Sequence, residues 1–330
     1  MMRIENEIKW GIIGCGYVTE KKSGPAFDLV EGSRIVAVMS ANADTARLYA
    51  RERGLKKWYA DPTALINDTE VNAVYIASPP STHATYAIMA MKAGKPVYVE
   101  KPMAASYDDC CRINRCSAET GVPCFVAYYR RYLPYFIKVR EIVESGQLGM
   151  IQNIQLRFSC PPEEMEYDNR STPFRKQKDV NEGEFFYDIA PHQLDILQDI
   201  FGCILEADGY TANISRRYTA CDNITASFKF ETGVLGSASW CFDAYEPART
   251  DRVEVIGDKG MVCFSIFTSE PIRVHTREGL EEYSPENPRL AQLPLIQAVV
   301  DHLHGCSLCE SDNISATPAN WVMDRILGRI

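Results

Sequence analysis

Over the first 130 residues, short apolar runs alternate with amphipathic stretches. Ile8 to Ile13, Arg34 to Ser40, Ala73 to Ala77, Val97 to Val99 and Val122 to Tyr128 are rich in β-branched and aromatic residues and read as buried strands. Between them, residues 43–53, 82–93 and 107–120 carry helical spacing, and glycine follows closely at 54, 94 and 121. Asp61-Pro62 predicts a cap with proline at the first helical position. Strands separated by helices of this size indicate a parallel, doubly wound sheet.

The second half has a different rhythm. After a helix predicted over 133–145, Ile151 to Ser159 alternates with period two, and strand character returns at 210–215, 223–230, 234–242, 253–256, 261–266 and 272–276. Short glycine-bearing turns such as Gly257-Asp258-Lys259-Gly260 join several of them, which predicts a large, mainly antiparallel open sheet. Helices are predicted over 183–201, 290–304 and 319–327. The change of rhythm, near Phe125 to Tyr132, divides the chain into a first domain at 1–126 and a second at 127–330.

Composition narrows the function without naming it. The 330 residues carry a formal net charge of −9, which argues against a nucleic-acid-binding surface. No apolar run reaches the length needed to span a bilayer, and the N-terminus lacks the apolar core of a signal peptide, so the expectation is a cytoplasmic protein that binds no membrane. The 12 cysteines then read as thiols rather than disulfides. One soft-ligand cluster, His302, His304, Cys306 and Cys309, has zinc-like chemistry. Two histidines two apart on a helix do not share a face, however, and no metal is expected.

Four constellations carry chemistry. Gly14-Cys15-Gly16 directly follows the first strand, the place where glycine allows a tight turn and close approach of a pyrophosphate. Tyr17 and Val18 complete that turn as candidate cofactor contacts, and Thr19 stands at the third glycine position of the dinucleotide fingerprint. The second strand ends in Ser40-Ala41-Asn42, with no acid to grip an adenosine ribose; this neutral end leaves both NAD and NADP open and slightly favours NADP. In Phe185-Phe186-Tyr187-Asp188-Ile189-Ala190-Pro191-His192, Asp188 and His192 are four apart and share a helix face, with Asp195 one turn further. Tyr128 and Arg130, in Tyr128-Tyr129-Arg130-Arg131-Tyr132 at the end of the last strand of the first half, suit substrate contacts. Between these, Glu100-Lys101-Pro102 closes the strand Val97 to Val99 at the sheet edge that faces the ligand crevice, where a lysine is placed to move a proton.

Taken together, Trp10-Gly11-Ile12-Ile13-Gly14-Cys15-Gly16, Ala77-Ser78-Pro79-Pro80-Ser81-Thr82-His83, Glu100-Lys101-Pro102 and the Asp188/His192 helix resemble the glucose–fructose oxidoreductase/inositol dehydrogenase (Gfo/Idh/MocA) family over essentially the whole chain. The resemblance implies an N-terminal Rossmann domain and a C-terminal α+β domain for substrate binding and oligomerisation, as a homodimer or homotetramer through the open sheet. It implies an NAD(P)-dependent oxidoreductase moving a hydride between nicotinamide and a carbinol or carbonyl carbon of a sugar, polyol or related small molecule. Lys101 becomes the catalytic acid/base, which in the oxidation direction takes the hydroxyl proton as the neutral amine. Asp188 and His192 become substrate-hydroxyl ligands, His192 assisting proton transfer. Ser78, Pro79, His83, Glu100 and Arg175 join the cofactor contacts, with Phe174 beside Arg175. The Lys101-Pro102 bond is expected to be cis. The sequence departs from the resemblance at Glu182-Gly183-Glu184, where a glycine-rich turn is usual. Two rivals share the fold: an NAD-dependent, redox-neutral glycosidase and a non-catalytic dinucleotide-sensing regulator.

Overall fold

The computed structural model describes residues 2–162, 184–217 and 219–330. They form two compact units, one of residues up to 129 with 288–320, the other of 130–287 with 321–330.

The first unit is built on six parallel strands: β1 (Ile8–Ile13), β2 (Ser33–Met39), β3 (Lys57–Tyr59), β4 (Ala73–Ile76), β5 (Val97–Val99) and β6 (Cys124–Val126), in the order β3-β2-β1-β4-β5-β6. The order reverses between β1 and β4, and in a doubly wound sheet the ligand crevice opens at that reversal, beyond the carboxyl ends of the strands. The helices are α1 (Gly24–Phe27), α2 (Ala43–Glu52), α3 (Pro62–Ile66), α4 (Pro80–Lys92) and α5 (Tyr107–Thr120). Three of their starts carry side-chain caps, of which Asp61 is the one expected from the sequence. The Asn42 side chain accepts from the amides of Asp44 and Thr45, Asp61 from those of Thr63 and Ala64, and Ser106 from that of Asp109. Gly121, at φ 68°, ends α5 in the left-handed region. Under the sheet, Trp10, Phe27, Tyr75 and Tyr98 are fully buried and in mutual ring contact, Tyr75 and Tyr98 stacked at 5.2 Å.

Two further helices bear on this unit. α8 (Leu293–His304) lies wholly within it, and α9 (Asn313–Ile326) begins in it and ends in the second. α9 starts six residues before the predicted 319. Pro318 and the polar residues before it hide the helical spacing, and the start is held instead by Asn114, which bonds Asn313 and Thr317 at 2.8 and 2.9 Å.

The second unit carries an eight-stranded sheet: β7 (Ile151–Ser159), β8 (Ile204–Ala212), β9 (Asn223–Phe230), β10 (Leu235–Cys241), β11 (Thr250–Gly257), β12 (Gly260–Phe264), β13 (Ile272–Thr276) and β14 (Gly279–Tyr283), in the order β14-β13-β12-β11-β7-β10-β9-β8. All neighbours are antiparallel except β7 and β10. Among the places where the strand reading fell short are β3, β14 and β8. β3 is three residues long, β14 reads Gly-Leu-Glu-Glu-Tyr, and the first half of β8 carries Glu206 and Asp208. Cross-strand pairs recruit the last two: Arg273 to Glu282 at 2.7 Å and Lys229 to Glu206 at 3.0 Å. Such charged edges also discourage pairing with other chains. On the covered face, Trp240 and Phe242 meet α7 (Glu184–Phe201), whose Phe186 sits edge-on to Trp240 at 4.9 Å and whose Phe185 lies 5.7 Å from Phe242, itself in contact with Phe158. α6 (Pro134–Glu144) completes the unit.

Candidate active site

Four backbone hydrogen bonds carry the ladder of the first sheet one residue past its strands. The Gly14 amide donates to Met39, Ala77 to Ile13, Glu100 to Ile76 and Ala127 to Val99, each at 2.8 Å. Gly14, Ala77-Ser78 and Glu100-Lys101 are thereby aligned along one sheet edge, the edge expected to hold a dinucleotide. Gly14 sits at φ +113°, and a Cβ there would lie 2.5 Å from the Ala77 carbonyl oxygen, so only glycine fits where the first turn meets the end of β4. Around Gly16 there is open space for a group to approach the backbone.

Thr19, at the third glycine position, is fully buried. Its hydroxyl lies 3.0 Å from the Gly14 carbonyl oxygen and 2.8 Å from that of Gly16, so it ties the turn closed from within. The chain then makes one π-helical turn, Val18–Lys22, before α1. Cys15 points its thiol at the Met39 carbonyl, 3.5 Å away, and burial pushes its pKa up to about 12, which makes it an unreactive thiol.

Ser40 and Asn42 are committed to local structure: Asn42 caps α2, and the Ser40 hydroxyl accepts from the Asn42 amide at 3.3 Å. Arg47, the cation nearest that strand end in sequence, pairs with Asp44 at 2.9 Å.

Ser78 hydrogen-bonds Thr82 through their hydroxyls at 2.7 Å. His83, on α4, packs inward. It is fully buried, with Nε2 2.8 Å from the Ser78 carbonyl oxygen and Nδ1 3.0 Å from that of Pro102. Both ring nitrogens face backbone carbonyls, so the ring sits between the turn after β4 and the turn after β5. Burial lowers its pKa against the pull of those carbonyls. The Lys101-Pro102 bond is cis, as expected.

Glu100 is buried, and its Oε1 accepts from the Tyr75 hydroxyl and from the Gln292 amide, both at 2.7 Å. Gln292 in turn accepts from Tyr98 at 2.9 Å. Gln292 lies 192 residues from Glu100 in the chain, and no local spacing marks it; only its return to the first unit reveals it. Tyr128 follows β6 and is fully buried in this unit.

In the second unit, α7 carries Asp188, half-buried, and His192, buried, on the face the spacing predicts. Asp195, on the same helix, is engaged elsewhere. Its carboxylate takes Arg131 Nε on both oxygens, at 3.1 and 3.0 Å, and Arg131 also lies 3.8 Å from Asp199. Arg130, next in the chain, stacks its guanidinium over Phe267 at 4.6 Å, and Phe267 meets the His192 ring edge-on at 6.1 Å. The loop bearing Phe267 is tied down by Asp251, which accepts from the backbone amides of Ile266, Phe267 and Thr268. Phe267 and Asp251 are further residues that the sequence did not single out. Arg175, with Phe174, Glu182 and Gly183, lies outside the described residues.

His302, from the cluster with zinc-like chemistry, accepts at Nδ1 from the Cys309 amide at 3.1 Å and packs edge-on against Phe125. Among the described residues, no three histidines, cysteines or carboxylates stand together to hold a metal.

Known proteins place this arrangement. Residues 8–128 match the oxidoreductase family with an NAD-binding Rossmann fold, and residues 136–263 match the GFO/IDH/MocA C-terminal domain. Oxidoreductase P35 of Formosa agariphila is 33% identical over 327 residues, 98% of this chain and 100% of that protein. The chain belongs to the Gfo/Idh/MocA oxidoreductase family. A second member, inositol 2-dehydrogenase 1 of Saccharopolyspora erythraea, is 35% identical over 301 residues, 88% of this chain and 83% of its own length. The family fold is shared with an oxidoreductase from Agrobacterium radiobacter in complex with NAD+, L-tartaric acid and magnesium, at TM-score 0.87, 20% identity and coverage of 98% and 96% of the two chains. Levoglucosan dehydrogenase in complex with NADH and levoglucosan superposes at TM-score 0.85 and 18% identity, covering 98% and 97%. This family member is thus an NAD-binding oxidoreductase, and its glycine turn, with Gly14 jammed against β4 and Gly16 open, suits the pyrophosphate of such a cofactor. None of its described helices is long and apolar enough to cross a membrane.

Proposed function

We propose that the protein is a dehydrogenase or reductase acting on the CH–OH group of a sugar, polyol or related small molecule. The observation that carries this reading is Lys101 at the carboxyl end of β5, on the same sheet edge as the glycine turn, in a chain that matches its family over both domains. The nicotinamide supplies the hydride chemistry when bound. Gly14, Gly16, Tyr17 and Val18 hold the pyrophosphate, with Ser78 and Pro79 bordering the cofactor at the end of β4. Lys101 moves the hydroxyl proton: its neutral amine accepts it during oxidation and its ammonium returns it during reduction. Asp188 and His192 hold substrate hydroxyls, and His192 shares the proton's path. Arg130 and Tyr128 complete the substrate contacts, and Arg175 the cofactor contacts. The glycosidase and regulator readings draw no support from the relatives named above.

The choice of dinucleotide is part of the proposal. The neutral end of β2 removes repulsion against a 2′-phosphate, which favours NADP, while the Asp44 partner of Arg47 takes away the cation that would grip it. The expected result is use of both dinucleotides, with kcat/KM values within about tenfold, a difference of about 1.4 kcal/mol in transition-state free energy. A panel of inositols, aldoses and sugar acids assayed by absorbance of the reduced cofactor tests this. No reduction or oxidation of either dinucleotide with any substrate would overturn the reading.

A homodimer or homotetramer through the open sheet belongs to the same proposal, as does a cytoplasmic place of action. The outward face is more polar than a purely apolar seam, with Thr225, Ser227, Lys229 and Arg252 exposed among Leu235 and Ile256. Leu280 and Tyr210, on the edge strands, are exposed as well. Light scattering at micromolar concentration should return at least twice the 37.2 kDa chain mass; a monomer mass would remove the oligomer from the proposal.

A further inference from the structure

The proposed role of Lys101 leaves unexplained how its backbone is held, and a buried polar chain in the first unit answers that. Glu100, the residue before it, is 8% exposed, yet carries a carboxylate. A buried carboxylate needs donors, and two converge on one oxygen: the Tyr75 hydroxyl from β4 and the Gln292 amide from the segment just before α8. Each donor is itself oriented. The Tyr75 hydroxyl also touches Ser23 Oγ at 2.8 Å, and that hydroxyl reaches the Val18 carbonyl in the glycine turn at 3.2 Å. Gln292, 4% exposed, receives the Tyr98 hydroxyl at its Oε1, which fixes the amide so that its NH2 faces Glu100. Burial raises the pKa of both tyrosines well above the ordinary value, with the Glu100 charge adding to it, so they remain protonated donors. On the other side of Lys101, His83 holds the Pro102 carbonyl.

We propose that Gln292 and Tyr75 are positioning residues for the reaction: by anchoring the Glu100 carboxylate in the core they fix the backbone from which Lys101 projects. The chain segment after 287 therefore serves the proton-transfer step although it lies outside the dinucleotide-binding sequence pattern. This rests on the reading of Lys101 as the proton-moving group. A network of this kind is costly to leave half-satisfied, because Glu100 would then keep a buried charge with too few donors.

The test compares Gln292→Leu, Gln292→Glu and Tyr75→Phe, each alone and the first also in a Lys101→Ala background, on the substrate turned over fastest in the panel. Contacting residues couple in double-mutant cycles. Gln292→Leu should lower kcat about tenfold, with the NADH dissociation constant, read by fluorescence, within about twofold. In the Lys101→Ala background the same substitution should cost nothing more. Tyr75→Phe, which keeps the ring and removes the hydroxyl, should lose kcat in the same sense. Gln292→Glu adds a signature that a purely structural role would not show. The introduced carboxyl can donate to Glu100 only while protonated, so its kcat relative to the parent at the same pH should be near one at acid pH and fall as that carboxyl ionises. Gln292→Leu and Tyr75→Phe with unchanged kcat, or an equal loss from Gln292→Leu with and without Lys101, would overturn the proposal while leaving Lys101 in place. A full rate in Lys101→Ala alone would remove the reading of Lys101 and this proposal with it.

Discussion

Replacing Lys101 by alanine should lower kcat by on the order of a hundredfold or more, the usual contribution of a positioned acid–base group. The loss should fall on turnover rather than on nucleotide affinity. The glycine turn, the Thr19 hydroxyl that closes it and the end of β4 do not depend on the lysine side chain. The backbone at 101 is held by neighbours, through the Glu100 amide bonded to Ile76, the Glu100 carboxylate in its network and the Pro102 carbonyl on His83, so the variant should fold. Lys101→Arg sharpens the test. A guanidinium keeps the charge but does not release its proton at any workable pH. If the amine is the proton acceptor in oxidation, arginine should be nearly as slow as alanine. Steady-state turnover together with NADH titration checks both; an arginine variant near full rate would mean that position 101 supplies only positive charge.

Arg131→Met should destabilise the second unit by about 3–5 kcal/mol, the cost of removing one partner from a buried ion pair. Arg131 and Asp195 are both almost fully buried, and the guanidinium serves Asp195 on two oxygens while also facing Asp199. Without it, two carboxylates on α7 are left in the interior, Asp199 retaining Arg140. The paired replacement Arg131→Met with Asp195→Leu should recover most of the loss, since a well-packed apolar pair often equals a buried ionic one. Urea unfolding followed by circular dichroism measures both. Arg131→Met within about 0.5 kcal/mol of the parent, the range of ordinary surface changes, would contradict the assignment. The pH dependence follows from the same site. Burial pushes the Asp195 carboxyl up from 3.8 to about 6, against the pull of Arg131. Its folded pKa is therefore above its unfolded one, so proton uptake favours the folded state. The stability this carboxyl contributes is present below pH 3.8 and is lost as pH rises through about 6.

Much of the candidate site is placed by short-range patterns, because its residues sit at their ends. Gly14 and Gly16 follow a run of six strand residues, Lys101 follows a strand and precedes a proline, and Asp188 and His192 obey helical spacing. The residues that escaped reading are those whose meaning depends on distant partners. Gln292 is an ordinary glutamine until it meets Glu100, and Asp251 an ordinary strand acid until three amides of the 266–268 loop turn onto it. His83 was legible as a candidate but its backbone partners were not, because sequence does not say which carbonyls face its two nitrogens. Asp195 likewise shares the helix of Asp188 and His192, and only its bond to Arg131 separates it from them.

By itself, the amino-acid order determined the parallel and antiparallel halves, the cap of α3, the glycine turn after β1 and the lysine at the end of β5. These follow from hydrophobic period and local backbone chemistry, which act over a few residues. Tertiary structure alone decided that the segment 288–320 packs with the first unit, that β8 and β14 extend the second sheet through charged cross-strand pairs, and that the Glu100 carboxylate is answered from β4 and from beside α8. The physical reason is that a buried polar group must find its partner wherever the packed chain brings one, and sequence distance places no limit on where that is.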